Sequence, residues 1–382
     1  MVSSDEPRLR RRRLLQALGA GTLLLPTLTS CAAHRRHHWE AWRVFRDTSI
    51  SDDGRVIDHS QPDRRSTSEG QAYALFFALV DDDHALFQRL LDWTRNNLAG
   101  GDLAQRLPAW LWGHDAATNH WRVLDENAAS DADLWIAYCL IEAAERWDAP
   151  NFAATARALL SQVRDREVVR MPGMGAMLLP APLGFAGPGQ WRLNPSYLPV
   201  PLLRRVAGFD PGGPWEELAS NTLRLLRDSA PRGYAPDWVA WSGGRVAVDP
   251  VFGAVGSYNA IRTYLWAGMT HPRDPAFRQV LAALRGPSRL LLDGRPMPEQ
   301  VDTLSGEVQG TGPYGFQAAM LPYLHALGAR GRAAQIRAAL PTPAQQRAQA
   351  PAYYSQMLML FGAGWHDRRF GFGRNGELQR GR

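Results

Sequence analysis

The apolar residues of this chain recur every three or four positions and seldom alternate. That is the period of a helix face, not of a strand. Ser68-Glu69-Gly70-Gln71 opens AYALFFALV. A Ser with a Gln three positions later predicts a capping box with Ser68 as the cap. HALFQRLLDWTRNNL (84–98) predicts a second helix. Ser130-Asp131-Ala132-Asp133 then opens LWIAYCLIEAAERW, with Ser130 as cap and Asp133 as the acid three positions on. NFAATARALLSQVRD, LPVPLLRRVA, PWEELASNTLRLLRDS, AIRTYLWAGM, AFRQVLAAL, GFQAAMLPYLHAL, RAAQIRAAL and AYYSQMLMLFGAG continue the series. About a dozen helices of ordinary length result. Strand-like alternation is weak and local, as at 244–248. No Pro/Gly/Ser-rich linker divides the chain. The 35 glycines and 27 prolines fit many helix–helix connections. The prediction is one all-α domain of antiparallel helical hairpins; six pairs closed on themselves make a toroid with a central cleft.

The first thirty residues follow a different pattern. RLRRRR (8–13) precedes the apolar run LLQALGAGTLLLPTL, and Leu28-Thr29-Ser30-Cys31 follows. A basic segment, a short apolar run and small residues predict an export signal over 1–31, with the folded domain at 32–382. The run is too short for a membrane span. LTSC resembles a bacterial lipobox, which implies lipidation at Cys31; plain signal cleavage is the alternative. The expected location is the periplasm or an outer-membrane lipid anchor. His34, His37 and His38 read as a solvated linker, and no spacing suggests a metal site. Cys139 lies in an apolar stretch and is expected to be a buried small hydrophobe.

Composition narrows the class. In 382 residues, 45% are hydrophobic and 21% charged, which excludes a mostly disordered chain. Two cysteines exclude a disulfide scaffold. The net charge of +6 carries no Lys, and half of it lies in the first thirty residues. No dense basic stripe remains for nucleic acid. The 14 Trp, more than the Tyr or the Phe, call for either a large aromatic core or a groove that stacks sugar rings.

Chemistry gathers at three helix starts: Ser68-Glu69, Ser130-Asp131 and Ser257-Tyr258-Asn259. In a toroid alternate helices run the same way, so these starts meet at one rim, where helix dipoles favour anionic side chains. Acids are also common in any first turn, so the pattern alone leaves both readings open. Tyr73, Trp110, Trp112, Trp121, Trp135, Tyr197 and Trp266 lie near these motifs. Carboxyls interleaved with aromatics suit a polysaccharide groove.

Nine stretches carry a family resemblance. They are GRVID (54–58), TSEGQAYALFFALV (67–80), GDL with LPAWLWG (101–113), ASDADLWIAYCLIEA (129–143), MLLPAPLGF (177–185), WRLNPSYLPVPLLRR (191–205), APDWVAW (235–241), GSYNAIRTYLWAGM (256–269) and LFGAGW (360–365). Together they resemble glycoside hydrolase family 8, in the branch that accompanies bacterial cellulose synthesis. The resemblance implies an (α/α)6 barrel and hydrolysis within a β-1,4-glucan chain, a cellulase activity, with inversion and without cofactor. Chitosanases and xylanases share the family. The implied partners are the glucan and the cellulose synthase complex. Glu69 matches the family's general acid, whose carboxyl must stay protonated near working pH; Asp131 is the expected neighbour that keeps it so. Asp131 also matches a sugar-binding carboxylate, while Asp133 reads as part of the cap. Tyr197 and Arg262 match residues lining the same subsite. The role of Asp58 stays open.

One position departs from the family. An inverting glycosidase needs a second carboxylate roughly 6.5–9.5 Å from the acid to activate water. The family places it as the Asp of SYDAIR; here the sequence is Ser257-Tyr258-Asn259-Ala260-Ile261-Arg262. An amide does not take a proton near neutral pH. Three accounts follow. Asp249 substitutes as base, with Asp237 and Asp302 as more distant options; or Asn259 only positions water and hydrolysis is slow; or the protein binds glucan without cleaving it.

Overall fold

A computed structural model describes residues 39–349 and 352–381. The predicted export signal and Cys31 lie outside the described residues. Fourteen helices carry the described chain: α1 (Glu40–Ser49), α2 (Ser68–Val80), α3 (His84–Leu98), α4 (Ser130–Arg146), α5 (Pro150–Arg166), α6 (Val200–Phe209), α7 (Trp215–Ser229), α8 (Ala260–Met269), α9 (Phe277–Ala283), α10 (Gly286–Leu292), α11 (Tyr314–Ala326), α12 (Arg330–Ala339), α13 (Pro343–Ala348) and α14 (Tyr353–His366).

Sequence decides which helices are inner. In α2, α4, α8, α11 and α14 almost every residue is buried, because they are apolar all round. With α6 they form the inner ring. α1, α3, α5, α7, α9 and α12 keep polar faces and form the outer layer. α2 packs on α4, α4 on α6, α6 on α8, α8 on α11 and α11 on α14. Phe361 of α14 closes the ring against Tyr73 at 4.9 Å and Phe77 at 4.7 Å, both from α2. Glycine permits the tightest crossings. A Cβ on Gly268 would strike the backbone of Tyr323, and one on Gly362 the carbonyl of Ala318. This is the (α/α)6 barrel expected from the helical pattern and the family resemblance.

The loops are unequal at the two ends. From an inner helix to the next outer one the connection is short, as at 81–83 and 147–149. The return connections at 99–129, 167–199, 230–259 and 293–313 are long. They carry small antiparallel sheets that alternation alone did not announce. Leu111–Asp115 pairs with His120–Asp125, and Ser66–Thr67 joins its edge. Gln190–Leu193 pairs with Val239–Ser242, which pairs with Arg245–Val248. The long loops therefore crowd the N-terminal end of the inner ring.

Two predicted caps are replaced. Thr67, not Ser68, caps α2, accepting from the Gly70 N–H at 3.1 Å. Gln71 instead bridges four groups, its carbonyl accepting from Val56 N–H at 2.6 Å and its amide donating to Gly54, Leu90 and Thr94. Ser130 makes no cap bond. Asp133 is not a cap either. It is fully buried against Glu167, and burial drives both carboxyls well above the usual range. Both caps failed because these helix starts are buried, where the side chain has alternatives to the local backbone. Trp135 and Trp266 belong to the core, and Cys139 is buried as expected.

Candidate active site

Every inner helix brings its N-terminal end to one cavity of about 550 Å³. Glu69 opens α2, Asp131 opens α4, Tyr197 precedes α6, Asn259 and Arg262 begin α8, Pro313 precedes α11, and Tyr353 and Tyr354 begin α14. Trp110 adds an aromatic wall from the loop after α3. The helix starts favour anionic side chains here.

Arg262 organises the floor and is itself buried. Its Nη1 donates to Glu69, to Asp131 at 3.1 Å and to the Tyr73 hydroxyl at 3.2 Å. Its Nη2 donates to the Asn259 amide oxygen at 2.8 Å. Glu69 and Asp131 thus share one guanidinium. Burial raises the Asp131 carboxyl to about 7, Arg262 opposes the rise, and the Glu69 charge adds to it. Burial also raises the hydroxyls of Tyr73 and Tyr197. The Tyr197 ring lies beside the guanidinium at 5.4 Å.

The hydrogen bonds of Asn259 fix its orientation. Its oxygen accepts from Arg262 and from Asn194 Nδ2 at 3.0 Å. Asn194 cannot turn round, because its own oxygen accepts from the Ser196 N–H at 3.0 Å and hydroxyl at 2.7 Å. With the oxygen held by two donors, Asn259 is left with only its N–H groups to offer the cavity. They hold a water or a sugar oxygen but take no proton.

The three suggested substitute acids lie elsewhere. Asp249 is buried, paired with Arg192 at 2.7 and 3.1 Å, and accepts from the Val251 and Phe252 N–H groups. Burial pushes its carboxyl up, but Arg192 and those two donors prevail and hold it below the ordinary range. Asp237 caps α8, one oxygen accepting from Ser257, Asn259 and Ala260 N–H at 2.7–3.0 Å; burial nonetheless raises its carboxyl. Asp302 is exposed and tied to the turn at Leu304 and Ser305. Among the described residues, the carboxylates on the cavity wall are Asp58, Glu69 and Asp131. Asp58 accepts from the Ser60 N–H at 2.9 Å and hydroxyl at 2.6 Å.

Trp112 does not line the cavity. It stacks on Trp121 at 5.3 Å with Arg55 against both rings, on the hairpin whose first strand follows Trp110. A second aromatic row runs outward from Tyr197 through Trp238 to Phe252 and Phe185, at 5.5–6.2 Å between centroids. Arg192 packs on this row, so the Asp249 ion pair braces an aromatic wall. Sequence reading missed Tyr353, Tyr354, Asn194 and Trp238, and named Tyr258 only as part of a helix start. Asn194 stood inside a motif already singled out, and Trp238 in APDWVAW.

A barrel of paired helices whose inner starts converge on a buried acid cluster between aromatic walls is the machinery of a glycoside hydrolase. The family model for "Glycosyl hydrolases family 8" matches residues 19–368, and the chain belongs to that family. It is similar to an endoglucanase of Xanthomonas axonopodis pv. citri, 48% identical with 96% of each chain covered. It also resembles the solved endo-1,4-D-glucanase from Vibrio fischeri ES114, at 40% identity and TM-score 0.84, over 90% of this chain and 99% of that one. The endo-beta-1,4-glucanase CMCax from Acetobacter xylinum is 28% identical, with TM-score 0.69 over 85% and 96%.

Proposed function

We propose that the protein is an exported endo-β-1,4-glucanase that inverts the anomeric centre and accompanies cellulose synthesis. The observation that carries the reading is the sharing of Arg262 by Glu69 and Asp131 on the floor of an aromatic-walled cavity. Glu69 protonates the departing glycosidic oxygen. Asp131 and Arg262 hold the sugar beside the scissile bond, with Trp110 and Tyr197 flanking it. Asn259 donates to the attacking water. The proton goes to Asp58, the wall carboxylate that, among the described residues, is not hydrogen-bonded to Arg262. The endoglucanase names of the relatives support the substrate class, and the Acetobacter neighbour supports β-1,4-glucan.

A second reading rests on the occupied amide oxygen of Asn259: the cavity binds glucan and does not cut it. One experiment separates the two. Reducing ends released from carboxymethylcellulose are compared for wild type, Glu69→Gln and Asp58→Asn. The enzyme reading expects release from wild type and loss in both variants. Equal, background release from all three, with glucan retarding the protein in native gels, supports the binder. Release that survives in Asp58→Asn removes Asp58 as the proton acceptor. Export is checked separately: labelled fatty acid enters the wild-type chain and not Cys31→Ala if the lipobox is used.

A further inference from the structure

A second cavity, of about 750 Å³, opens at the other end of the barrel. The last residues of α8, α11 and α14 line it, whereas the first residues of α8 and α14 and Pro313, just before α11, line the cleft. Three arginines, Arg330, Arg368 and Arg380, and three histidines, His271, His325 and His366, stand on its wall. Among the described residues the wall holds no Asp or Glu. Of the nearby acids, Asp367 binds Arg337 at 2.7 Å, and Asp82 is shared between Arg146 at 2.7 Å and Arg380 at 3.4 Å. His325 and His366 touch at 3.0 Å between ring nitrogens, and the Trp365 ring packs edgewise on His325 at 5.4 Å. Phe370 and Phe372 add further aromatic lining.

Helix ends alone do not account for this charge. A helix C-terminus carries about half a negative charge. Three such ends offset about half of the three guanidinium charges; Arg380 also meets Asp82 at 3.4 Å, whereas Arg330 and Arg368 form no ion pair among the described residues. Arginine forks match the paired oxygens of phosphate, and the volume is that of a small-molecule site. We propose that this cavity binds a phosphoryl group carried on a larger ring-bearing or lipid molecule. The arginines take the phosphate, the histidines supply adaptable donors, and Trp365 offers a flat face. The site lies across the barrel from the cleft and is independent of the glucanase reading.

The test uses the full chain and Arg330→Gln/Arg368→Gln, two exposed positions whose loss leaves the core intact. Titration calorimetry is run with AMP, with adenosine as the uncharged control. Co-sedimentation is run with phosphatidylcholine vesicles with and without phosphatidic acid. AMP binding with a dissociation constant near or below about 1 mM, at least tenfold weaker in the variant, supports a soluble ligand. Sedimentation only with phosphatidic acid, lost in the variant, supports a lipid headgroup. No binding in either assay, equal binding by the variant, or adenosine binding as well as AMP overturns the proposal. Unchanged melting temperature shows that the variant is folded.

Discussion

Arg262 and Asn259 are one helical turn apart at the start of α8, and the arginine donates to the amide oxygen at 2.8 Å. Asn194 donates to the same oxygen. Both partners are donors, so an aspartate would keep both bonds and gain a second, accepting oxygen toward the cavity. Asn259→Asp is therefore expected to raise the rate of carboxymethylcellulose hydrolysis, by about a hundredfold if proton acceptance limits turnover. Initial rates of reducing-end release decide it. An unchanged or lower rate means that water is activated by a different group.

Arg262→Met removes the cation between Glu69 and Asp131. A buried carboxylate without its partner costs about 3–5 kcal/mol. The loss depends on pH with a definite sign. The folded Asp131 carboxyl, at about 7, already lies above its unfolded value, so the protonated form is favoured on folding. Removing Arg262 raises it further. Destabilisation is then small at pH 5 and grows as pH rises above about 7, by about 1.4 kcal/mol per pH unit until the variant's carboxyl ionises, as urea unfolding from pH 5 to pH 9 measures.

Asp249→Asn separates the brace from the base. The ion pair with Arg192 underlies the row of Trp238, Phe252 and Phe185. The expected result is a KM several-fold higher with kcat nearly unchanged. A collapse of kcat with KM preserved would return Asp249 to the chemistry.

The buried pair Asp133 and Glu167 sets a second pH dependence. Both carboxyls are raised by burial, so their contribution is present at low pH and is lost as pH climbs through the folded values. Glu167→Gln needs no such proton. Its melting temperature is expected to fall less than that of wild type between pH 6 and pH 9, as scanning calorimetry at matched ionic strength checks.

Gly362→Ala places a methyl group against the Ala318 carbonyl, where α14 crosses α11. Overpacking of a tight crossing costs about 1–3 kcal/mol. A lower urea midpoint with unchanged slope is expected.

The inner ring was legible because α2, α4, α8, α11 and α14 are apolar on every side, a pattern with no use outside a core. Glu69, Asp131 and Arg262 were legible as helix-start residues and from the family resemblance. The caps were not. Whether Ser68 or Thr67 receives the first N–H depends on what else packs there, and Gln71 found partners in the distant Val56, Gly54, Leu90 and Thr94. Nor could spacing show that Asp249 is claimed by Arg192, 57 positions away. α1 was missed, although Trp42, Val44 and Phe45 bury one face of it. Tyr353 and Tyr354 were missed because the last inner helix meets the first only when the barrel closes.

That closure has a kinetic consequence. Phe361 meets Tyr73 and Phe77 across about three quarters of the chain, and contacts of such separation form late in folding. The cleft draws on all six inner helices, so no early intermediate holds a working pocket. Catalytic power should return only with the last, slowest phase of refolding, after most of the helical signal has already recovered.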